Sequence, residues 1–370
     1  MKTPDNNFTQ KPRYELLDGL RGVAALMVIW YHIFEGFATS PTDQKFNHGY
    51  LAVDFFFILS GFVIGYAYDD RWSRMSIGEF FKRRLIRLHP LVILGAVFGV
   101  AAFAIQGCVQ WNGTPVETWK ILTAFLLGIF LLPSFPGTAG EVRGNGEMFP
   151  LNGPSWSLFF EYIGNMMYAL FLRKLSTGWL KVFVTASGIG YAAFALLNGS
   201  GTYSMGVGWT MADMNFLGGF LRMSFSFSAG LLLFRNFKPM KIRGAFWICS
   251  ALLISLLTVP YLGKEANWLN AAYDVLCTLF IFPFIVYMGA SGKTDKRCSE
   301  RLCRFLGDTS YPIYILQYPV MYLFYAWVWN NGHTFSQVWP VAAGIFVGLP
   351  VLAYICLKVY DEPIRRKLSI

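Results

Sequence analysis

Charge is what this sequence is short of. Only 14% of its 370 residues are Asp, Glu, Lys or Arg, against about 25% in a soluble globular domain. Histidine is scarcer still, with four in the chain. The six cysteines (Cys108, Cys249, Cys277, Cys298, Cys303, Cys356) lack the spacing of a metal site, and most lie in or beside apolar runs. They read as reduced packing residues rather than a disulfide framework, and no metal is expected. No internal repeat or low-complexity tract is visible. Nor is a cleavable leader expected, because the first apolar run is too long and carries Arg21 inside it.

What is present is apolar and aromatic: 55% hydrophobic residues, 18% aromatic, with mean hydropathy +0.44. That is membrane composition. Eleven apolar runs fall near 17–37, 51–67, 90–107, 119–132, 155–172, 180–197, 214–234, 244–262, 269–288, 310–329 and 338–357. The 119–132 run is shorter than the roughly 20 residues that a spanning helix needs. If it enters and returns on one side, ten helices span and both termini are cytoplasmic. The expected fold is therefore all-α: one integral-membrane domain over 1–370, with about ten transmembrane helices plus one re-entrant segment.

On that topology 26 of the 31 Lys and Arg are cytoplasmic. The outer loops keep only Lys45, Lys120, Arg143 and Lys264, and Arg222 sits within a span. This is the positive-inside asymmetry, and it accounts for the net charge of +10 without nucleic acid. A non-spanning segment at membrane depth needs protein or a cavity to cover its backbone, so 119–154 is expected to line a site.

Within the runs, a few ionisable residues stand out. Arg21 and His32 lie eleven residues apart in the first run, roughly three helical turns, so they share a face about 16 Å apart. Such a pair is costly in a bilayer and tends to face a protein interior or an aqueous cavity. The plain alternative is a snorkelling Arg21 and a hydrogen-bonded core His32. Asp54 opens the second run, either as a carboxylate favoured by the helix N-terminus or as a partner for His32. Arg83, Arg84 and Arg87 sit at helical spacing, which suits inner-leaflet lipid or a phosphorylated cytosolic ligand. Ser157, Glu161, Asn165 and Tyr168 follow at intervals of four, four and three, a polar stripe on an apolar helix that begins beside Trp156. For Arg222, structural pairing and substrate binding are both open. His48, His89 and His333 read as loop or interface residues without a chemical role.

Taken in order, these pieces resemble the acyltransferase-3 family of membrane O-acyltransferases. The matching stretches are Leu-Asp-Gly-Leu-Arg with Arg21 and then His32; Val53 to Phe62; Arg84-x-x-Arg87 with Pro90; Pro154-Ser155-Trp156-Ser157-Leu158 with Glu161; and Leu306 to Tyr314. The resemblance implies transfer of an acyl group, usually acetyl, from cytosolic acyl-coenzyme A to a hydroxyl of a carbohydrate or lipid-linked glycan. Acyl-coenzyme A enters as co-substrate, with no bound cofactor. His32 would be the base, oriented by Asp54 or Glu161. Arg21, Arg84 and Arg87, with Arg83 beside them, would handle the donor. Trp156, Ser157, Asn165, Arg222 and Gln317 would line the cavity or meet the acceptor. Gln317 departs from the histidine that many members carry there, which removes a second proton-transfer group. No soluble esterase-like domain is expected, since the chain ends at Ile370. The expected location is the inner (cytoplasmic) membrane, with membrane lipids, acyl-coenzyme A and the glycan as partners. Competing readings are a transporter or flippase of a lipid-linked sugar, and a catalytically inactive glycan binder.

Overall fold

Each of the eleven apolar runs becomes a helix in the computed structural model, which describes residues 11–40, 42–263, 265–293 and 297–369. Lys264, expected in an outer loop, lies outside the described residues, as does the side chain of Cys298. The helices are α1 (Glu15–Glu35), α2 (Ala52–Tyr68), α3 (Ile77–Ile105), α4 (Thr118–Ile129), α5 (Ser155–Leu170) and α6 (Thr177–Leu196). They continue as α7 (Asn215–Arg235), α8 (Ala245–Leu257), α9 (Trp268–Ser291), α10 (Arg297–Asn331) and α11 (Phe335–Leu368). A 3-10 turn at His48–Leu51 leads into α2. Single π turns interrupt α9 at Cys277–Ile281 and α11 at Leu357–Asp361. Among the described residues there is no β-strand, only three isolated bridge pairs.

Among the described residues seven helices are long and apolar enough to cross a bilayer: α1, α2 with its leading turn, α3, α6, α7, α9 and α11. Ten spans were expected. α5 and α8 fall short on length, with 16 and 13 residues. α10 falls short on composition, because Gln317, two prolines and a row of tyrosines dilute its apolar residues. The 12 residues of α4 rise only about 18 Å, well under the ~30 Å hydrocarbon core.

Two helix crossings build the frame of the site. α1 packs most extensively on α10, where a Cβ on Gly22 would sit 2.4 Å from the Leu306 carbonyl oxygen. α2 and α7 meet through reciprocal glycines: a Cβ on Gly61 would lie 1.9 Å from Phe227 O, and one on Gly230 2.0 Å from Ile58 O. Backbones approach this closely only where the side chain is absent. α3 starts cleanly from a capping box: Ser76 Oγ accepts from Glu79 N at 3.1 Å, and Glu79 Oε2 accepts from Ser76 N at 2.8 Å. That fixed start sets the directions of the arginines one and two turns later.

The basic segments converge on the end of the bundle where α1 begins. Lys11 pairs with Asp70, Arg13 with Asp308, and Arg304 with Glu15. His32 and Glu35 lie at the opposite end of α1.

Candidate active site

The partner of His32 is on its own helix. Glu35 Oε2 lies 2.7 Å from His32 Nδ1, and the Tyr325 hydroxyl on α10 donates both to that Glu35 oxygen (2.9 Å) and to the His32 carbonyl oxygen (2.7 Å). Tyr31 and Tyr318 hold the imidazole edge-on from two sides. Nε2 makes no hydrogen bond to the described residues and belongs to a side chain that lines a cavity of about 420 Å³. A carboxylate on Nδ1 with Nε2 free is the arrangement in which imidazole takes up a proton and the resulting cation is stabilised.

Asp54 and Glu161, the partners expected for His32, are engaged elsewhere. Asp54 forms a fully buried ion pair with Arg222, with Nη2 to Oδ2 at 2.6 Å, both side chains 0% exposed. Arg222 also donates to Val207 O and Tyr50 O at 2.8 Å each, and packs over Trp156. The pair ties α2 to α7 and to the loop before α7, and Arg222 and Trp156 line the His32 cavity from that position. Glu161 accepts from Arg84 Nη2 at 2.8 Å and from Ser60 Oγ at 3.1 Å. It lines a second cavity of about 200 Å³ at the basic end.

That second cavity also takes Arg21, Arg87, Ser157 and Arg365 into its wall. Arg21 is fixed by Ser310 Oγ (2.8 Å), Gly307 O (3.0 Å) and Asp18 Oδ1 (3.1 Å). Helical spacing was expected to bring the guanidiniums of Arg83, Arg84 and Arg87 together. On α3 Arg84 is buried toward Glu161 while Arg83 and Arg87 are exposed, and Arg87 lines the arginine cavity with Arg84 and an outer groove with Arg83. Arg83 and Arg87 join Lys82, Arg365 and Arg366 around an open groove of about 580 Å³. Arg87, Glu362 and Arg365 belong to both groove and cavity.

The arginine cavity and the His32 cavity meet. Val53 and Tyr314 line both, and the Tyr314 hydroxyl is hydrogen-bonded to Ser157 Oγ at 2.7 Å. The groove, the arginine cavity and the His32 cavity thus adjoin one another through shared wall residues, from the basic end of the bundle to the far end of α1.

A family profile described as an acyltransferase domain matches residues 14–357, nearly the whole chain. The chain belongs to the acyltransferase-3 family. Among its curated relatives, "Protein 2 in picA locus" of Rhizobium radiobacter is 37% identical over 175 residues, covering 44% of this chain and 85% of that protein. Acyltransferase MdmB of Streptomyces mycarofaciens is 31% identical over 173 residues, covering 44% of this chain and 40% of MdmB. A protein of Staphylococcus aureus strain COL with the provisional name O-acetyltransferase is 25% identical over 325 residues, covering 82% of this chain. The match spans half of that protein's length. No solved structure matches the chain.

In this acyltransferase-3 member the series of cavities takes in Arg21, His32, Arg83, Arg84, Arg87, Trp156, Ser157, Glu161 and Arg222. It leaves out three expected residues. Asn165 turns back to donate to the Glu161 carbonyl oxygen at 2.7 Å, Gln317 is buried against Tyr314 O, and Asp54 lies behind Arg222. The polar stripe of α5 therefore contributes its first half alone. The 119–154 region reaches the site through Asn145, Glu147, Gly153 and Pro154, not through α4. Sequence reasoning missed Glu35, Glu147 and Tyr325. Glu35 carried a readable signal: at three residues from His32 it shares the same helix face. Glu147 and Tyr325 carried none, because long-range packing brings them in.

Proposed function

We propose that this protein is a multi-pass membrane O-acyltransferase that moves an acyl group, most simply acetyl, from acyl-coenzyme A to a hydroxyl of a carbohydrate or lipid-linked glycan. The observation that carries this reading is the meeting of the two cavities at Val53 and Tyr314, with a carboxylate-backed histidine on one side and an arginine cluster on the other. Guanidiniums suit phosphate because their planar forks bind it bidentately. The coenzyme A phosphates dock at the groove of Lys82, Arg87, Arg365 and Arg366, and the pantetheine arm runs past Arg21 and Arg84. The thioester is then presented beyond Tyr314.

His32 Nε2 takes the proton of the acceptor hydroxyl as that oxygen attacks the thioester carbonyl. The carbon–oxygen bond forms, the carbon–sulfur bond breaks, and the proton passes from the imidazolium to the departing coenzyme A thiolate. Glu35 holds the Nδ1 proton and stabilises the imidazolium; Tyr325 positions Glu35. On this reading the basic end faces the cytoplasm, in keeping with the positive-inside rule, with both termini on that side and the protein in the inner membrane. α5, α8 and α10 complete about ten crossings, with the segment around α4 re-entrant. The O-acetyltransferase name of the Staphylococcus aureus relative and the acyltransferase name of MdmB support this reaction class.

The test is purified protein with radiolabelled acetyl-coenzyme A and a glycan acceptor. Wild type transfers or hydrolyses acetyl, and His32→Ala does neither while remaining folded and membrane-inserted. Full activity in His32→Ala would remove the base. Arg87→Ala with Arg365→Ala raises KM for acetyl-coenzyme A; an unchanged donor affinity would remove the docking groove.

A further inference from the structure

The His32 cavity is walled by aromatic rings, chiefly Tyr50, Trp111, Trp156, Trp209, Tyr318 and Trp329. Its volume falls in the range of about 300–1,000 Å³ usual for small-molecule sites. Such walls suit the C–H faces of a pyranose ring. The charge facing the cavity is one-sided. Two carboxylates line it, Glu35, already engaged by His32 and Tyr325, and Glu147; Arg222 is its one lining guanidinium among the described residues. Arg222 offers little to a ligand: it is fully buried and committed to Asp54, Val207 O and Tyr50 O. Arg143 stacks on the Tyr322 ring with its carbon 3.4 Å from the centroid and donates to Gln106 Oε1 and Pro150 O. It does not line the cavity.

Glu147 is held in the wall by design of the loops around it. Its Oε1 accepts from Asn145 Nδ2 at 2.8 Å, and its Oε2 accepts from the Tyr322 hydroxyl. Backbone pairing joins it to Thr210, and Met148 N donates to Trp209 O at 2.9 Å, so the segment before α5 is stitched to the segment before α7. An anion entering this space would lose its hydration and meet the Glu147 carboxylate, while the Arg222 guanidinium is already committed to Asp54 and two carbonyls. An ion buried without a compensating partner is strongly disfavoured.

We propose that the sugar ring receiving the acyl group is neutral or amine-bearing, and that Glu147 is the specificity residue that turns away rings carrying a carboxylate or phosphate. This rests on the acyltransfer reading given above. It concerns the reacting ring alone; anionic groups elsewhere on a lipid-linked or polymeric acceptor stay in solvent at the cavity mouth.

The experiment titrates the purified full chain in lipid nanodiscs with methyl glucoside, methyl glucosaminide and methyl glucuronide, following tryptophan fluorescence from the ring-lined wall. The expected result is binding of the first two and at least about tenfold weaker binding of the glucuronide. Glu147→Gln, isosteric and still able to accept from Tyr322, narrows that gap to within about threefold. Equal or tighter binding of the glucuronide by wild type overturns the proposal, as does binding of none of the three. An unchanged ratio in folded Glu147→Gln removes Glu147 from the role. Acetyl-coenzyme A turnover is measured on the same preparation. If the affinity difference holds and no turnover occurs, the acyltransfer reading fails while the charge selectivity of the cavity stands.

Discussion

Glu35 and His32 lie one helical turn apart on α1, with Oε2 and Nδ1 separated by 2.7 Å. Because both sit on one rigid element, their geometry needs no other part of the fold to form it. α10 adds the Tyr318 ring, packed edge-on to the imidazole, and the Tyr325 hydroxyl that keeps the carboxylate turned toward it.

Replacing Glu35 by Gln should therefore act through His32. We expect kcat to fall by about 10²-fold or more, the scale of general-base assistance. The Glu35→Gln/His32→Ala double variant should be no slower than His32→Ala alone, since residues acting as a unit are non-additive. Steady-state rates of the four proteins check this; additive losses would separate the two residues.

The Asp54–Arg222 pair should report on folding rather than chemistry. Asp54→Ala leaves a guanidinium without its counter-ion in a fully buried position, which costs about 3–5 kcal/mol. A combined Asp54→Ala/Arg222→Met variant should recover much of the loss, because neither charge is then stranded. Thermal unfolding in detergent, read for both single variants and the double, measures it.

Tyr314 and Ser157 stand where the two cavities meet. Tyr314→Ala should open the passage between them and let water reach the thioester, raising acetyl-coenzyme A hydrolysis relative to transfer. Tyr314→Phe keeps the ring and should change the ratio much less. The ratio of free acetate to acetylated product is the readout.

Gly61 should tolerate nothing larger. A Cβ there meets the Phe227 carbonyl oxygen at 1.9 Å, so Gly61→Ala must separate α2 from α7. Overpacking of this kind costs about 1–3 kcal/mol or more. A lower melting temperature and a lower yield of monodisperse protein are expected, and Gly128→Ala, where the nearest non-local atom is 3.8 Å away, serves as control.

Glu147 gives a pH dependence with a definite sign. Burial raises its carboxyl above the usual value, with Arg143 and the Tyr322 hydroxyl acting in the opposite direction. A group whose pKa is raised on folding stabilises most below its unfolded pKa, about 4.3. That contribution is lost as pH rises through the folded value. The melting temperature of wild type minus that of Glu147→Gln should therefore fall as pH is raised from mildly acidic toward neutral. A difference independent of pH would show that Glu147 titrates as it does in the unfolded chain.

The helices and their order were written in the sequence. Apolar runs, glycine and proline breaks and the sparse charges are local features, and a helix forms from local features: all eleven runs became helices. The membrane class follows from the same arithmetic of rise and hydropathy, although seven described helices meet a span's length and hydropathy where about ten were expected. Arg21 and His32 stood out because an ionisable group in an apolar run is costly wherever the run ends up. Pairing was the part that tertiary structure decided. Whether Asp54 met His32 or Arg222, whether Arg84 faced phosphate or Glu161, and which loop carboxylate entered the cavity all depended on helix rotation and crossing. Those are set by close contacts such as Gly61 on Phe227 and Gly22 on Leu306, between residues far apart in the chain. Spacing along one helix does not encode which neighbour it will meet.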